Sequence, residues 1–123
     1  MDPWLLAAAA SAAATALLHV FAGGPSAARP LLEAKDIART PQLTNYYCWH
    51  MVSIMLAAMS ACFVLAAREP SAWELAALAT ALAAAFAVWS LLLAFWKRHS
   101  AWELPQWSLF LIIAAFGIAG LAA

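Results

Sequence analysis

Charged side chains are scarce in this sequence of 123 residues. Six residues are Lys or Arg and six are Asp or Glu, so that 10% are charged, whereas an ordinary soluble domain carries about 25%. The net charge is zero, which excludes the basic surface of a nucleic-acid-binding protein. In contrast, 67% of the residues are hydrophobic and the mean hydropathy is +0.86. This composition excludes a disordered chain and predicts an all-α membrane protein.

Cysteine is also scarce, and Cys48 and Cys62 are the only two. On one helix their separation corresponds to about 21 Å along the axis, which is too far for a disulfide bond. The sequence has no C-x-x-C pair, which excludes a disulfide scaffold and argues against the quinone-linked disulfide-forming enzymes. It also has no G-x-S-x-G, H-E-x-x-H or phosphate-binding loop. No catalytic motif is therefore available to support an enzyme.

The few charges separate four long uncharged segments. These segments contain 26, 28, 22 and 20 residues, and a transmembrane helix needs about 20. Because the connections are short, we expect a single domain over residues 1–123, folded as an antiparallel four-helix transmembrane bundle. The predicted spans are Trp4–Ala22, Tyr46–Ala67, Trp73–Trp96 and Pro105–Leu121.

The distribution of Lys and Arg predicts an orientation. Loops one and three contain five of the six cations, whereas loop two contains only Arg68. The positive-inside rule places the two basic loops in the cytoplasm and both termini outside, on the periplasmic face of a cell inner membrane. The first span follows Asp2 rather than a basic segment, so we interpret it as a retained helix and not as a signal peptide.

Local signals predict where the helices begin and end. Gly23-Gly24-Pro25 is expected to stop the first helix, and Pro30–Arg39 is expected to form a short interfacial helix in loop one. The sequence Ser-Ala-Trp-Glu-Leu occurs at 71–75 and again at 100–104. Each copy has the S-x-x-E spacing of a capping box, so we expect the third and fourth helices to begin there.

No Asp, Glu, Lys or Arg lies in the interior of a predicted span. Proton-coupled transporters carry such residues within the membrane, and small four-span multidrug exporters need a glutamate in the first span. The pattern therefore favours a non-enzymatic protein, either an accessory or assembly subunit or a self-associating bundle. Its expected partners are the lipid bilayer and a homo-oligomer or larger membrane complex.

Two histidines form the first candidate site. His19 and His50 each lie about one turn inside the same end of the predicted bundle, and small polar residues share their helix faces. One interpretation is a haem, transition-metal or quinone site, and the cofactor is left open. The other is that each imidazole hydrogen-bonds a hydroxyl or a loop carbonyl and fixes the helix register. The candidate ligand-binding residues are His19, His50, Tyr46, Tyr47, Thr15 and Ser53, with His19 and His50 as metal ligands.

Sulfur-containing side chains form a second stripe, on another face of the second span. Its members are Cys48, Met51, Met55, Met59 and Cys62. Soft sulfur ligands select Cu(I), and the Met-x-x-x-Met spacing between Met51 and Met59 resembles the methionine pair of membrane copper transporters. That resemblance implies copper transport, although the G-x-x-x-G motif that accompanies the methionine pair in those transporters is missing. The alternative is that the methionines only fill gaps in the packing of the helices. A small-solute transporter lined by Ser11, Thr15, Ser53 and Ser60 is a further alternative.

Overall fold

The computed structural model describes residues 1–123 and is all-helical, with four helices and no strand. We number them α1 (Pro3–Glu33), α2 (Arg39–Arg68), α3 (Trp73–Trp96) and α4 (Gln106–Ala122). Three helical segments are long and apolar enough to cross a membrane: α1, α2 and Pro70–Trp96, which includes α3. Helix α4 is a shorter apolar helix of 17 residues. The all-helical prediction is confirmed.

Helix α1 continues beyond its predicted end at Ala22. It is α-helical over Pro3–Leu18, π-helical over His19–Ala28 and α-helical again over Arg29–Glu33. In an α-helix the ring of Pro25 would clash with the carbonyl four residues earlier. The wider π-helical turn, with hydrogen bonds to the fifth residue back, accommodates it. The prediction that Gly23-Gly24-Pro25 stops the helix is therefore wrong.

The hydroxyl of Ser26 helps to hold this π-helical segment. It donates to the carbonyl oxygen of Ala22 at 2.9 Å and also approaches that of Gly23 at 3.4 Å. The Ser26 side chain is thus bonded back to the preceding turn of the same segment.

The predicted interfacial helix Pro30–Arg39 is absent. Its first four residues are the last turn of α1, residues 34–38 are irregular, and α2 begins at Arg39. Helix α2 therefore begins seven residues before the predicted boundary at Tyr46. The first residues of the expected interfacial helix are instead the end of α1. Pro30 is tolerated there because it lies in the first turn of Arg29–Glu33, where its missing N–H costs no hydrogen bond.

Neither predicted capping box forms. Ser71 lies in a 3₁₀ turn, Pro70–Ala72, and the helix cap that follows has no side-chain hydrogen bond. At the second copy, the Ser100 hydroxyl accepts from the Trp102 amide at 3.3 Å, and α4 begins only after Pro105. In both places a proline sets the start of the helix, since its fixed φ suits a first turn.

Alanine dominates the core. Ten of the 16 residues in the main buried cluster are alanines, and the largest fully buried side chains are Phe63, Leu56, Met59 and Ile113. Small side chains let helices approach closely and gain packing contacts, which is the main source of helix association in lipid. At the tightest approaches, Gly117 of α4 lies against Thr80, and Gly120 lies against Leu5.

Helix α1 packs between α2 and α4, and α3 packs mainly on α4. The start of α1 lies beside the end of α2, because the Asp2 amide donates to the Ala67 carbonyl oxygen at 3.1 Å. Further along α1, the Ala9 carbonyl oxygen accepts from the Ser60 hydroxyl at 2.9 Å. These contacts bring the π-helical segment of α1 next to the first half of α2.

Candidate functional site

His19, the first residue of the π-helical segment, packs on Trp49 of α2. The two rings are stacked, with 3.8 Å between their centroids and 20° between their planes. The Nε2 atom of His19 also lies 3.1 Å from the main-chain oxygen of Trp49. This single side chain therefore links α1 to α2 both by ring stacking and by a hydrogen bond.

The hydrogen bond defines the tautomer of His19. A carbonyl oxygen can only accept, so Nε2 carries the proton and donates it to the Trp49 oxygen. In the neutral ring, the lone pair is then on Nδ1. Any ligand that binds His19 without breaking this contact would have to bind through Nδ1.

Trp49 also packs against Gly23, one turn further along α1. A Cβ atom at residue 23 would lie 2.6 Å from Cη2 and 3.0 Å from Cζ2 of the indole. Only a glycine allows the indole to lie this close to the α1 backbone. Trp49 is a central residue that sequence reasoning missed, because tryptophans near the ends of apolar helices are ordinary interface residues.

His50, the next residue along α2, is exposed. Its ring meets the edge of Tyr46 at 4.6 Å between centroids and an interplanar angle of 88°. Tyr47 is also exposed. The structure thus brings Tyr46 and His50 together, whereas His19 contacts Trp49, the residue that precedes His50 in the sequence.

The two predicted hydroxyl groups lie in different surroundings. The Thr15 hydroxyl donates to the Ser11 carbonyl oxygen at 2.8 Å, and both residues line a cavity of about 160 Å³ beside Leu109 and Ile112 of α4. The Ser53 hydroxyl is buried and has no hydrogen-bond partner. Thr15 is therefore positioned for contact with α4.

The sulfur stripe on α2 divides between surface and core. Met59 is 2% exposed and belongs to the core, whereas Met51 is 49% exposed. Cys48 is exposed and Cys62 is half-buried. No group of three or more His, Cys, Asp or Glu side chains is placed to hold a metal ion. Transport of copper or of a small solute stays a prediction.

Gln42, a second residue that sequence reasoning missed, closes the end of α1. It is almost fully buried, and its Nε2, with two hydrogens shared among three acceptors, donates to the carbonyl oxygens of Leu31, Leu32 and Ala34 at 2.9–3.0 Å. Its Oε1 accepts from Arg39 at 2.9 Å. The last carbonyl groups of a helix have no partner within it, so one amide here replaces a C-terminal capping motif. A single glutamine in a polar segment carries no sequence signal of this role.

No protein-family model, curated protein or solved structure matches this chain.

Proposed function

We propose that the chain is an antiparallel four-helix bundle that spans the cell inner membrane, with both termini periplasmic and the two basic loops cytoplasmic. The three long apolar helical segments support this arrangement. So do the contacts that join the start of α1 to the end of α2. The 17 residues of α4 span about 26 Å at 1.5 Å per residue, close to the hydrocarbon thickness of a bilayer.

Within that membrane we propose a non-enzymatic role, as a self-associating bundle or as an accessory or assembly subunit of a larger complex. The observation that carries this proposal is the exposure of the apolar helices. In the most apolar 18 residues of each long segment, only 28% are buried within the chain. The remaining apolar surface is available to lipid and to other helices.

The polar groups of the helices support the same proposal. The hydroxyls of Thr15 and Ser60 and the His19 ring are all hydrogen-bonded to main-chain carbonyl oxygens. The Ser60 and His19 bonds join α2 and α1, whereas the Thr15 bond lies within α1, and a side chain that is occupied in this way is a poor candidate for chemistry on a substrate. The function is therefore expected to depend on helix surfaces.

Pairs of exposed alanines four residues apart mark the surfaces where another helix could approach closely. They are Ala10 and Ala14 on α1, Ala57 and Ala61 on α2, and Ala81 and Ala85 on α3. Small residues at this spacing allow close contact between transmembrane helices. Replacing each pair with leucine would test one helix face at a time, because these alanines are exposed; a leucine at residue 14 would also fill part of the cavity beside Leu109 and Ile112.

Energy transfer between labelled copies in dilute vesicles measures self-association directly. Cys48 is exposed and provides a labelling position in a Cys62→Ser background. We expect energy transfer in the parent protein and its loss in one of the three leucine pairs, with the other two pairs as controls.

If the copies stay monomeric, a role within a larger complex requires co-purification of a defined partner. A specific turnover that is lost on changing one polar helix residue would overturn the non-enzymatic role.

A second candidate function is the binding of haem or a quinone by His19 and His50. It is favoured by the position of Trp49, which stacks on His19 and directly precedes His50. Because only two imidazoles are available, the ligand would have to supply further donors of its own, as a porphyrin does. Gently purified protein should then show a Soret band or bound quinone that His50→Ala removes and that the exposed control His99→Ala retains. A colourless, quinone-free protein would count against this function.

A further inference from the structure

Helix α3 ends in a Schellman motif that contains an arginine where glycine is usual. The His99 amide donates to the Ala94 carbonyl oxygen at 2.9 Å, and the Arg98 amide donates to that of Phe95 at 3.2 Å. Arg98 has a φ of 52° and is the only non-glycine residue with a positive φ. The left-handed conformation costs a non-glycine residue roughly 1 kcal/mol relative to glycine. The fold therefore keeps a cation at a position where glycine would be more stable.

Neither Lys97 nor Arg98 has a carboxylate partner. The only contact between a basic side-chain nitrogen and a carboxylate joins the His99 ring to Glu103 at 3.0 Å, so the one carboxylate in this loop contacts His99 and neither of the two cations. Both cationic residues are exposed. Lys97 instead places its Nζ 4.0 Å from the ring centre of Trp96. The end of α3 thus presents two consecutive cationic side chains, neither of which contacts a carboxylate.

Large indole side chains lie on both sides of these cations in the sequence. Trp96 is 67% exposed and Trp102 is 76% exposed. Trp102 is held edge-on to Trp107, with 5.3 Å between ring centroids, and the Trp107 indole donates to the Ala101 carbonyl oxygen at 2.8 Å. Exposed indoles next to cations are typical of the headgroup level of a membrane, where the ring has both an apolar and a polar environment.

We propose that this surface, which we call the α3 headgroup site (Trp96, Lys97, Arg98 and Trp102), binds the phosphate of an anionic phospholipid. The two unpaired cations supply charge complementarity, and the exposed indoles favour a lipid over a soluble anion. The proposal rests on the proposed insertion in a membrane and does not depend on self-association. Arg68, a single exposed cation at the end of α2 with Glu69 beside it, provides a matched comparison.

Native mass spectrometry of the detergent-solubilised protein can count bound phospholipids. We expect phosphatidylglycerol to bind in preference to phosphatidylcholine, and Lys97→Gln with Arg98→Gln to weaken phosphatidylglycerol binding by about thirtyfold, given the usual contribution of a cation near an anionic surface. Arg68→Gln should leave the preference unchanged. Inorganic phosphate should not compete, which separates a lipid site from a general anion site.

Arg98→Gly keeps the proposal testable even if the double variant fails to fold. Glycine relieves the left-handed backbone, so this variant should unfold at a higher temperature than the parent while it binds phosphatidylglycerol about fivefold more weakly. If Arg98 had only a structural role, the unfolding temperature would rise without a loss of phosphatidylglycerol binding. The proposal is overturned if Arg98→Gly retains the lipid preference, if Arg68→Gln loses it equally, or if inorganic phosphate competes. Energy transfer between copies should be unchanged in Arg98→Gly, so that a failure of self-association is distinguished from a failure of lipid binding.

Discussion

The indole of Trp49 occupies the space that a side chain at residue 23 would need, since a Cβ there would lie 2.6 Å from its Cη2 atom. The indole is also held by its stacking on His19, one turn earlier on α1. The contact between α1 and α2 at this level therefore depends on a glycine on one helix and a tryptophan on the other.

Gly23→Ala should destabilise the fold, whereas Gly24→Ala should not. A methyl group at residue 23 overpacks the indole, and overpacking of this kind costs about 1–3 kcal/mol. Residue 24 faces open space, with nothing within 4 Å of the added Cβ, and alanine is favoured over glycine in a helix by roughly 0.8–1.0 kcal/mol. Thermal unfolding in detergent, followed by circular dichroism, should lower the midpoint for the first variant and raise it for the second. Equal shifts would contradict the packing described for Trp49.

Gln42→Leu should destabilise the fold through the end of α1. The substitution removes the hydrogen bonds to the carbonyl oxygens of Leu31, Leu32 and Ala34, and a buried acceptor left without a partner costs about 1–3 kcal/mol. Asn45→Leu is the matched control, because that exposed amide only bonds the carbonyl of Pro41. Hydrogen exchange should show faster exchange at residues 29–33 in Gln42→Leu alone, and unchanged exchange would argue against the capping role.

Gly117→Ala should weaken the packing of α3 on α4, and Thr80→Ala should restore part of it. A Cβ at residue 117 would overlap the Thr80 hydroxyl oxygen. That hydroxyl is buried and makes no hydrogen bond, so its removal has little cost of its own. We expect a loss of about 1–3 kcal/mol for the single variant and a clear coupling in a double-mutant cycle. Additive effects of the two substitutions would mean that the residues do not touch.

His19→Phe and His50→Phe should differ in their effect on stability. Phenylalanine at residue 19 can keep the stacking on Trp49 but loses the hydrogen bond to its carbonyl oxygen, a change worth about 1 kcal/mol. His50 is exposed, and its replacement should change the unfolding midpoint little. A larger effect at His50 would indicate that its ring has a partner that the isolated chain does not supply.

The all-helical fold could be predicted from the sequence because a long apolar segment must hydrogen-bond its own backbone groups, which a helix does. Long uncharged runs bounded by charges are a strong signal, and the predicted span Trp73–Trp96 coincides with α3. The ends of α1 and α2 could not be predicted in the same way. Gly-Gly-Pro is a reliable stop only for an α-helix, and a π-helical turn removes the clash on which that rule depends.

The candidate site could be predicted only in part, for a different reason. The positions of His19 and His50 along their helices can be read from the sequence. Which residues each imidazole contacts depends on how the two packed helices are rotated about their axes. The close approach of Gly23 and Trp49 sets that rotation here. The role of Gln42 follows from the irregular path of residues 34–38, which no periodicity describes.

The unequal lengths of α1 and α4 have a consequence for the surrounding lipid. At 1.5 Å per α-helical residue, the 16 and 5 α-helical residues of α1 correspond to about 32 Å before its ten π-helical residues are added, whereas the 17 residues of α4 correspond to about 26 Å. If the bundle spans a membrane as proposed, one side of it is too long for a hydrocarbon core about 30 Å thick and the other is slightly too short. Such a hydrophobic mismatch tilts the long helix and thins the bilayer beside the short one. The protein would therefore be surrounded by a bilayer of uneven thickness, and it should be enriched in membrane regions that deform easily.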